Sequence, residues 1–315
     1  QPKQRQQQQQ QQDRRFRHEQ NQQSCPNPDC VRCCRYREVQ RRAHQRLAWI
    51  LRQHSNPQSL RRIVKSVRLG PSSSPKSMVG DIPQYPSVFF LRGLPMALPI
   101  VANESVCAKL LGCREKLRED VRNITIEDWI PNDTPHWSIF PVCNQGVWNE
   151  SNLNRLSALK RCLAKCGEDL MMNCVFGNIF LSKIERSAYI APHCGPTNVR
   201  HRLQMLVVGG CGSVLKIGRT EEWRWDRGEV VVFDDSIEHS VWWATDPQPE
   251  GETGNDKKHD GRKIDYDHCD PTSRIVLIVD LWHPEVKAEE RRIIEELYPA
   301  ARKTANPLIG AQCQC

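Results

Sequence analysis

From about residue 175 onward the chain is cut into short β-rich runs, at 177–181, 188–191, 199–208, 213–217, 229–233, 240–244 and 274–282, with Gly, Pro and Asp clusters between them. Strands this short and this regularly punctuated cannot bury themselves one by one. They are expected to close on one another as a sandwich or barrel. The upstream half has a different texture. Residues 36–69 are basic and almost free of Pro and Gly, with Val39, Ala43, Leu47, Ile50 and Leu51 at helical spacing and a break at Asn56 and Pro57. That pattern predicts two helices. A further helix is expected over 105–118 and a short strand over 88–91, followed by an aromatic loop carrying Trp129, Trp137 and Phe140.

The 315 residues suffice for a full core. We divide them into a Gln-rich, disordered tail (1–24), a cysteine cluster with basic helices and a linker (25–86), a main domain (87–300) and a C-terminal tail (301–315). The formal charge of +8 sits at one end: residues 1–70 carry 16 Lys and Arg against 4 Asp and Glu, and the remainder is net −4. The basic arm has few aromatics and no DNA- or RNA-binding module, so nucleic acid is not expected as a partner. A solvated face, or attraction to anionic lipid headgroups, fits better.

Fifteen cysteines point to an oxidising compartment or to metal. For Cys25, Cys30, Cys33 and Cys34, local disulfides are preferred to a zinc knuckle, because four thiols within ten residues leave little chain to wrap a tetrahedral site. Glycosylation acceptor triplets at Asn103, Asn123, Asn132 and Asn149 favour the secretory lumen, with the endoplasmic reticulum foremost. No apolar run is long enough to span a membrane, yet the chain starts at Gln1, so an anchor upstream of it is compatible with a single-pass membrane protein.

Read as a strand, 199–208 places Arg200, Arg202 and Gln204 on one face and His201, Leu203 and Met205 on the other. The run 274–281 puts Arg274 at the mouth of an otherwise apolar strand. Two strands then offer guanidinium groups beside buried surface, which suits a dicarboxylate held by paired hydrogen bonds. His193, in a turn before the first of these strands, and His239, after the run 230–233, form a candidate metal pair.

The segments Pro192-His-Cys-Gly-Pro-Thr-Asn-Val-Arg-His-Arg202, Val232-Phe-Asp-Asp-Ser-Ile-Glu-His239 and Val279-Asp-Leu-Trp-His-Pro-Glu285 resemble the aspartyl/asparaginyl β-hydroxylase family, and within it the aspartate β-hydroxylase domain-containing proteins. The resemblance implies a double-stranded β-helix, or jelly-roll, core with flanking helices. It also implies a dioxygenase that uses Fe(II), 2-oxoglutarate and O2 to hydroxylate the β-carbon of Asp or Asn in protein substrates, epidermal-growth-factor-like domains among them. Carried over by position, His193 and His239 match the iron ligands. Arg274, with Ser182, matches the holder of the distal cosubstrate carboxylate; Arg202 matches a catalytic arginine at the cosubstrate and substrate, and Arg200 a substrate-binding one. Asp234, Asp235 and Glu238 read as turn and supporting groups. Gly195 stands where most such oxygenases have a carboxylate, a departure that the family shares. Gln204 replaces the family's usual histidine beside the cosubstrate, and it keeps open the alternative of a catalytically impaired protein-binding module.

Overall fold

A computed structural model of the protein describes residue 31 and residues 36–53, 60–70, 78–79, 82–95, 103–132, 134–210, 212–219, 221–225, 229–243 and 272–300. The expected tails, the Cys25–Cys34 cluster and most of the polar stretch before Arg274 lie outside these residues.

The core is two facing antiparallel sheets, as the punctuated runs require. The larger contains, in spatial order, β11 (Val230–Phe233), β8 (Arg200–Gly209), β13 (Ser273–Trp282), β6 (Ile179–Glu185), β4 (Trp137–Asn144) and β3 (Ile130–Pro131), with β5 (Val147–Trp148) paired to β4. The smaller contains β10 (Glu221–Arg224), β9 (Ser213–Ile217), β12 (His239–Trp243) and β7 (Ile190–His193). A two-residue ladder joins β1 (Met78–Val79) to β2 (Ile82–Pro83). The fold is therefore the mainly β, jelly-roll type with flanking helices.

Each long strand is read by its period of two. Leu203, Met205 and Val207 of β8 turn outward into a core shared with α3 (Glu104–Leu111), α4 (Arg114–Arg122) and α6 (Ser157–Cys166); the short α5 (Glu150–Arg155) adds Leu153. The opposite face looks between the sheets, where Phe180, Ile184, Val276 and Ile278 meet Leu215, Ile217, Val241 and Trp243. A third core joins α1 (Tyr36–Gln53) and α2 (Arg61–Leu69) to α7 (Ala288–Leu297) and to Trp282, so the basic helices are built into the same body as the sheets.

Several expectations are corrected. The single helix over 105–118 is two helices, because Gly112 and Cys113 separate α3 from α4. The aromatic loop contains the eight-residue strand β4, in which Pro141 concealed the pattern; the proline sits at a register shift against β6, where a ladder donor is least needed. The run 88–91 makes only an isolated bridge, Phe89 to Thr197. The linker reading of 70–86 fails at its end, where Gln84 bridges Ile237 and its amide donates to the Asp234 carboxylate.

Candidate active site

Antiparallel pairing of β7 and β12 sets His193 directly opposite His239, with ring centroids 4.2 Å apart. Each ring is oriented by its own backbone: His193 Nδ1 lies 2.8 Å from the Ala191 carbonyl and His239 Nδ1 lies 2.9 Å from that of Ile237. A carbonyl only accepts, so each Nδ1 carries the proton and each Nε2 keeps a free lone pair. Burial lowers the pKa of both imidazoles, and for His239 the adjacent His193 adds to it. Neutral rings with free Nε2 atoms are what a metal ion requires.

The carboxylate that would complete a three-ligand site is blocked by geometry. A Cβ at Gly195 would lie 2.5 Å from the Asp235 carboxyl carbon, so the Asp235 side chain fills the space that a residue larger than glycine would need. Among the described residues no group of three or more His, Cys, Asp and Glu is placed to hold a metal ion. A two-histidine site is what the chain offers. Asp235 is itself engaged: Arg200 grips both of its oxygens, with Nε 3.0 Å from Oδ1, and Arg202 Nη1 approaches Oδ2 at 3.3 Å.

Arg200 thus departs from the substrate-facing role expected of it. Its remaining Nη1 donates to the Phe176 carbonyl and to Asp280 Oδ2, so most of its donors are engaged inside the protein. Arg202 donates Nε to Asp280 Oδ1 at 2.9 Å but stays partly open to the cavity. The two arginines and two aspartates form a neutral buried cluster. Burial disfavours each charge, yet the ion pairing outweighs it, raising the pKa of Arg200 and holding the Asp235 carboxyl below the usual range. Of the other two carboxylates in the turn, Asp234 accepts from Ser236 N and Oγ, and Glu238 is exposed.

Arg274 is the contrasting case. It is 1% exposed, and among the described residues no carboxylate pairs with it. Nη1 donates to Ser213 Oγ at 2.9 Å, the guanidinium lies over the Trp225 ring at 5.2 Å, and Nε has no partner. Burial pulls its pKa down to about 9, so it remains a cation at neutral pH. Ser182, expected to assist at the cosubstrate carboxylate, lines the same cavity and accepts from Trp137 Nε1 at 3.0 Å, which leaves its O–H free to donate. The hydroxyl that Arg274 itself contacts is Ser213, whose place opposite Arg274 leaves no mark in the sequence.

Several of these groups line one cavity of about 230 Å³. His193, His239, Arg200, Arg202, Gln204, Arg274 and Ser182 all line it, with Ile139, Phe180, Val241 and Ile278 as its apolar wall. Gln204 is 4% exposed and its Oε1 has no partner. Tyr36 from α1 also lines the cavity, as does the acceptor residue Asn132. Of the other three acceptors, Asn103 and Asn149 are N-caps of α3 and α5, and Asn123 is exposed at the end of α4. The seven cysteines among the described residues, Cys107, Cys113, Cys143, Cys162, Cys166, Cys174 and Cys194, are free thiols.

Residues 113–248 match the family model described as Aspartyl/Asparaginyl beta-hydroxylase. The human aspartate beta-hydroxylase domain-containing protein 2 is 28% identical over 88% of this chain and 71% of its own length. Mouse aspartyl/asparaginyl beta-hydroxylase is 32% identical over half of this chain, a stretch that is 17% of that protein. Among solved structures, HygX from Streptomyces hygroscopicus with nickel and 2-oxoglutarate bound overlaps 57% of this chain and 85% of its own, at 10% identity and a TM-score of 0.31. The resemblance carried by the sequence segments is thereby borne out: the chain is similar to the aspartyl/asparaginyl β-hydroxylases and their domain-containing relatives.

Proposed function

From this kinship to the aspartyl/asparaginyl β-hydroxylases we propose that the protein is an Fe(II)- and 2-oxoglutarate-dependent oxygenase that hydroxylates the β-carbon of Asp or Asn in protein substrates. The observation that carries the proposal is Arg274: a buried cation without a counter-ion among the described residues, in the cavity that also holds two imidazoles with free Nε2 atoms. An uncompensated buried charge is costly, and a ligand carboxylate would relieve it.

In this reading His193 and His239 hold the iron. When bound, the iron with 2-oxoglutarate and O2 supplies the oxidising power for inserting an oxygen atom into a C–H bond. The chain's own residues do the rest. Arg274, held by the Ser213 hydroxyl, takes one carboxylate of the dianionic cosubstrate, with the cavity-lining Ser182 hydroxyl as a second donor. Arg202, kept rigid by Asp235 and Asp280, has donors to spare for a substrate carboxylate or amide. Arg200 positions Asp235 and Arg202. The apolar wall of Ile139, Phe180 and Ile278 keeps water from the reacting carbon.

Anaerobic loading with Fe(II) and 2-oxoglutarate, followed by air and measurement of succinate, tests the activity. Succinate above that of a His193→Ala control is expected, and none above it would overturn the proposal. The second reading, a binding module without turnover, draws on the unpartnered Oε1 of Gln204 beside the cosubstrate position. If Gln204→His tightens cosubstrate binding strongly while the native chain makes no succinate, that reading prevails. We further propose residence in the secretory lumen, on the strength of the four acceptor triplets, and secreted or membrane proteins as substrates. Shifts in gel mobility after glycosidase treatment test the location.

A further inference from the structure

The outward faces of α1 and α2 have no role in the cavity chemistry. Both helices bury a stripe in the core they share with α7, Val39, Ala43, Leu47 and Ile50 from α1 and Ile63 and Val67 from α2. Their opposite faces therefore both meet solvent. Those faces expose Arg37 and Arg52 on α1 and Arg61, Lys65 and Arg68 on α2, none of them ion-paired among the described residues. Glu38 is the only acidic residue of the two helices, and Arg41 and Arg42 already pair with it. Among these cations stand two large apolar side chains open to water, Trp49 at 54% and Leu69 at 57% exposure.

Cations surrounding an exposed indole and an exposed leucine suit a specific kind of partner. Basic side chains gain from anionic headgroups, and an indole is most favourably placed at the boundary between headgroup and acyl chain. A nucleic acid would use the cations but has less to offer Leu69. It would also look for stacking aromatics, and Tyr36 is turned into the cavity. The rest of the chain, residues 71–315, is net −4, so an anionic surface attracts this face and repels the remainder. We propose that the exposed face of α1 and α2 docks on an anionic phospholipid bilayer. Tyr36 and Trp49 belong to one helix, 13 residues apart, so Trp49 lies about 20 Å along that helix from the cavity lining. The site would then work on substrates presented beside a membrane. This proposal is independent of the oxygenase reading.

The test is sedimentation of the full chain with vesicles of phosphatidylcholine alone and with phosphatidylserine added. Binding is expected only with phosphatidylserine, weakening as salt rises. Lys65→Gln with Arg68→Gln should weaken it roughly 25-fold, at about fivefold per cation. Trp49→Ala should weaken it several-fold without altering the salt dependence. The control is Lys160→Gln with Arg161→Gln, an equal charge change at exposed positions on α6, which should leave binding unchanged. Unaltered circular dichroism shows that each variant folds. Equal losses in the two double variants would overturn the proposal, since net charge alone would explain them. So would absence of binding to phosphatidylserine vesicles, or binding to RNA in preference to them.

Discussion

At the scale of single residues the site is decided by which charges are paired. Arg200 and Arg274 are alike in sequence terms, each an arginine on a strand, yet among the described residues the fold gives one two carboxylates and the other none. Two variants should separate these roles. Arg274→Met removes an uncompensated buried charge, so the ligand-free protein should melt at least ~2 °C higher by calorimetry. The same variant should lose binding of a 2-oxoglutarate analogue by titration. Asp235→Asn does the reverse, leaving Arg200 buried without its main partner, and should cost about 3–5 kcal/mol in urea unfolding. Gly195 reads in sequence as a missing ligand. In space it is an occupied position, and the occupant, Asp235, is forty residues further along the chain.

At the scale of elements, strand period and pairing register convert a linear motif into a cavity. The alternation in β8 was legible, and it does place Arg200, Arg202 and Gln204 on the cavity side and Leu203 and Met205 in the helical core. β4 was not legible, because a proline mid-run is ordinarily a strand breaker; here the register shift absorbs it. The split of α3 from α4 was missed because an apolar pattern continues through the break at Gly112. Loop packing also constrains the site. A Cβ at Gly177, just before β6, would land inside van der Waals contact of the Met171 carbonyl, which is backbone and cannot easily yield. Gly177→Ala should therefore destabilise the protein by more than ~2 kcal/mol in urea unfolding, far above an ordinary surface substitution. It should also disturb Arg200, whose guanidinium donates to the neighbouring Phe176 carbonyl.

At the scale of the whole molecule, buried titratable groups make stability depend on pH. His201 and His283 stack at 4.5 Å on the far side of β8 from the cavity. Burial pushes their pKa values down to about 3 and about 4, and the nearby His283 adds to the shift of His201. In the unfolded chain each imidazole takes up a proton near its ordinary 6.5, whereas in the folded chain it stays neutral. Their contribution to stability is thus present above about 6.5 and is lost as pH falls from there towards 4 and 3. Asp234 works in the other sense. Burial raises its pKa to about 7 from 3.8, so its contribution is present below 3.8 and fades as pH rises to 7. His201→Leu isolates the imidazole: its melting temperature should fall less between pH 7 and pH 4.5 than that of the parent chain, and an equal fall would argue against the assignment.

The sequence by itself determined the things that local pattern controls. The short punctuated runs specified an antiparallel β core, since a period of two with frequent turns has few other ways to bury its apolar face. The segments around His193 and His239 carried the similarity to the aspartyl/asparaginyl β-hydroxylases. The confinement of the net positive balance to the first seventy residues was equally plain. What only the tertiary structure decided is which partner each polar group meets. Register across β7 and β12 brings the two histidines together, sheet stacking gives Arg274 a serine and an indole, and the turn after β11 puts Asp235 against Gly195 and Arg200. These pairings span 35 to 61 residues of chain. No local propensity encodes them, because their energy comes from desolvation and Coulomb attraction between groups that become neighbours only when the sheets close.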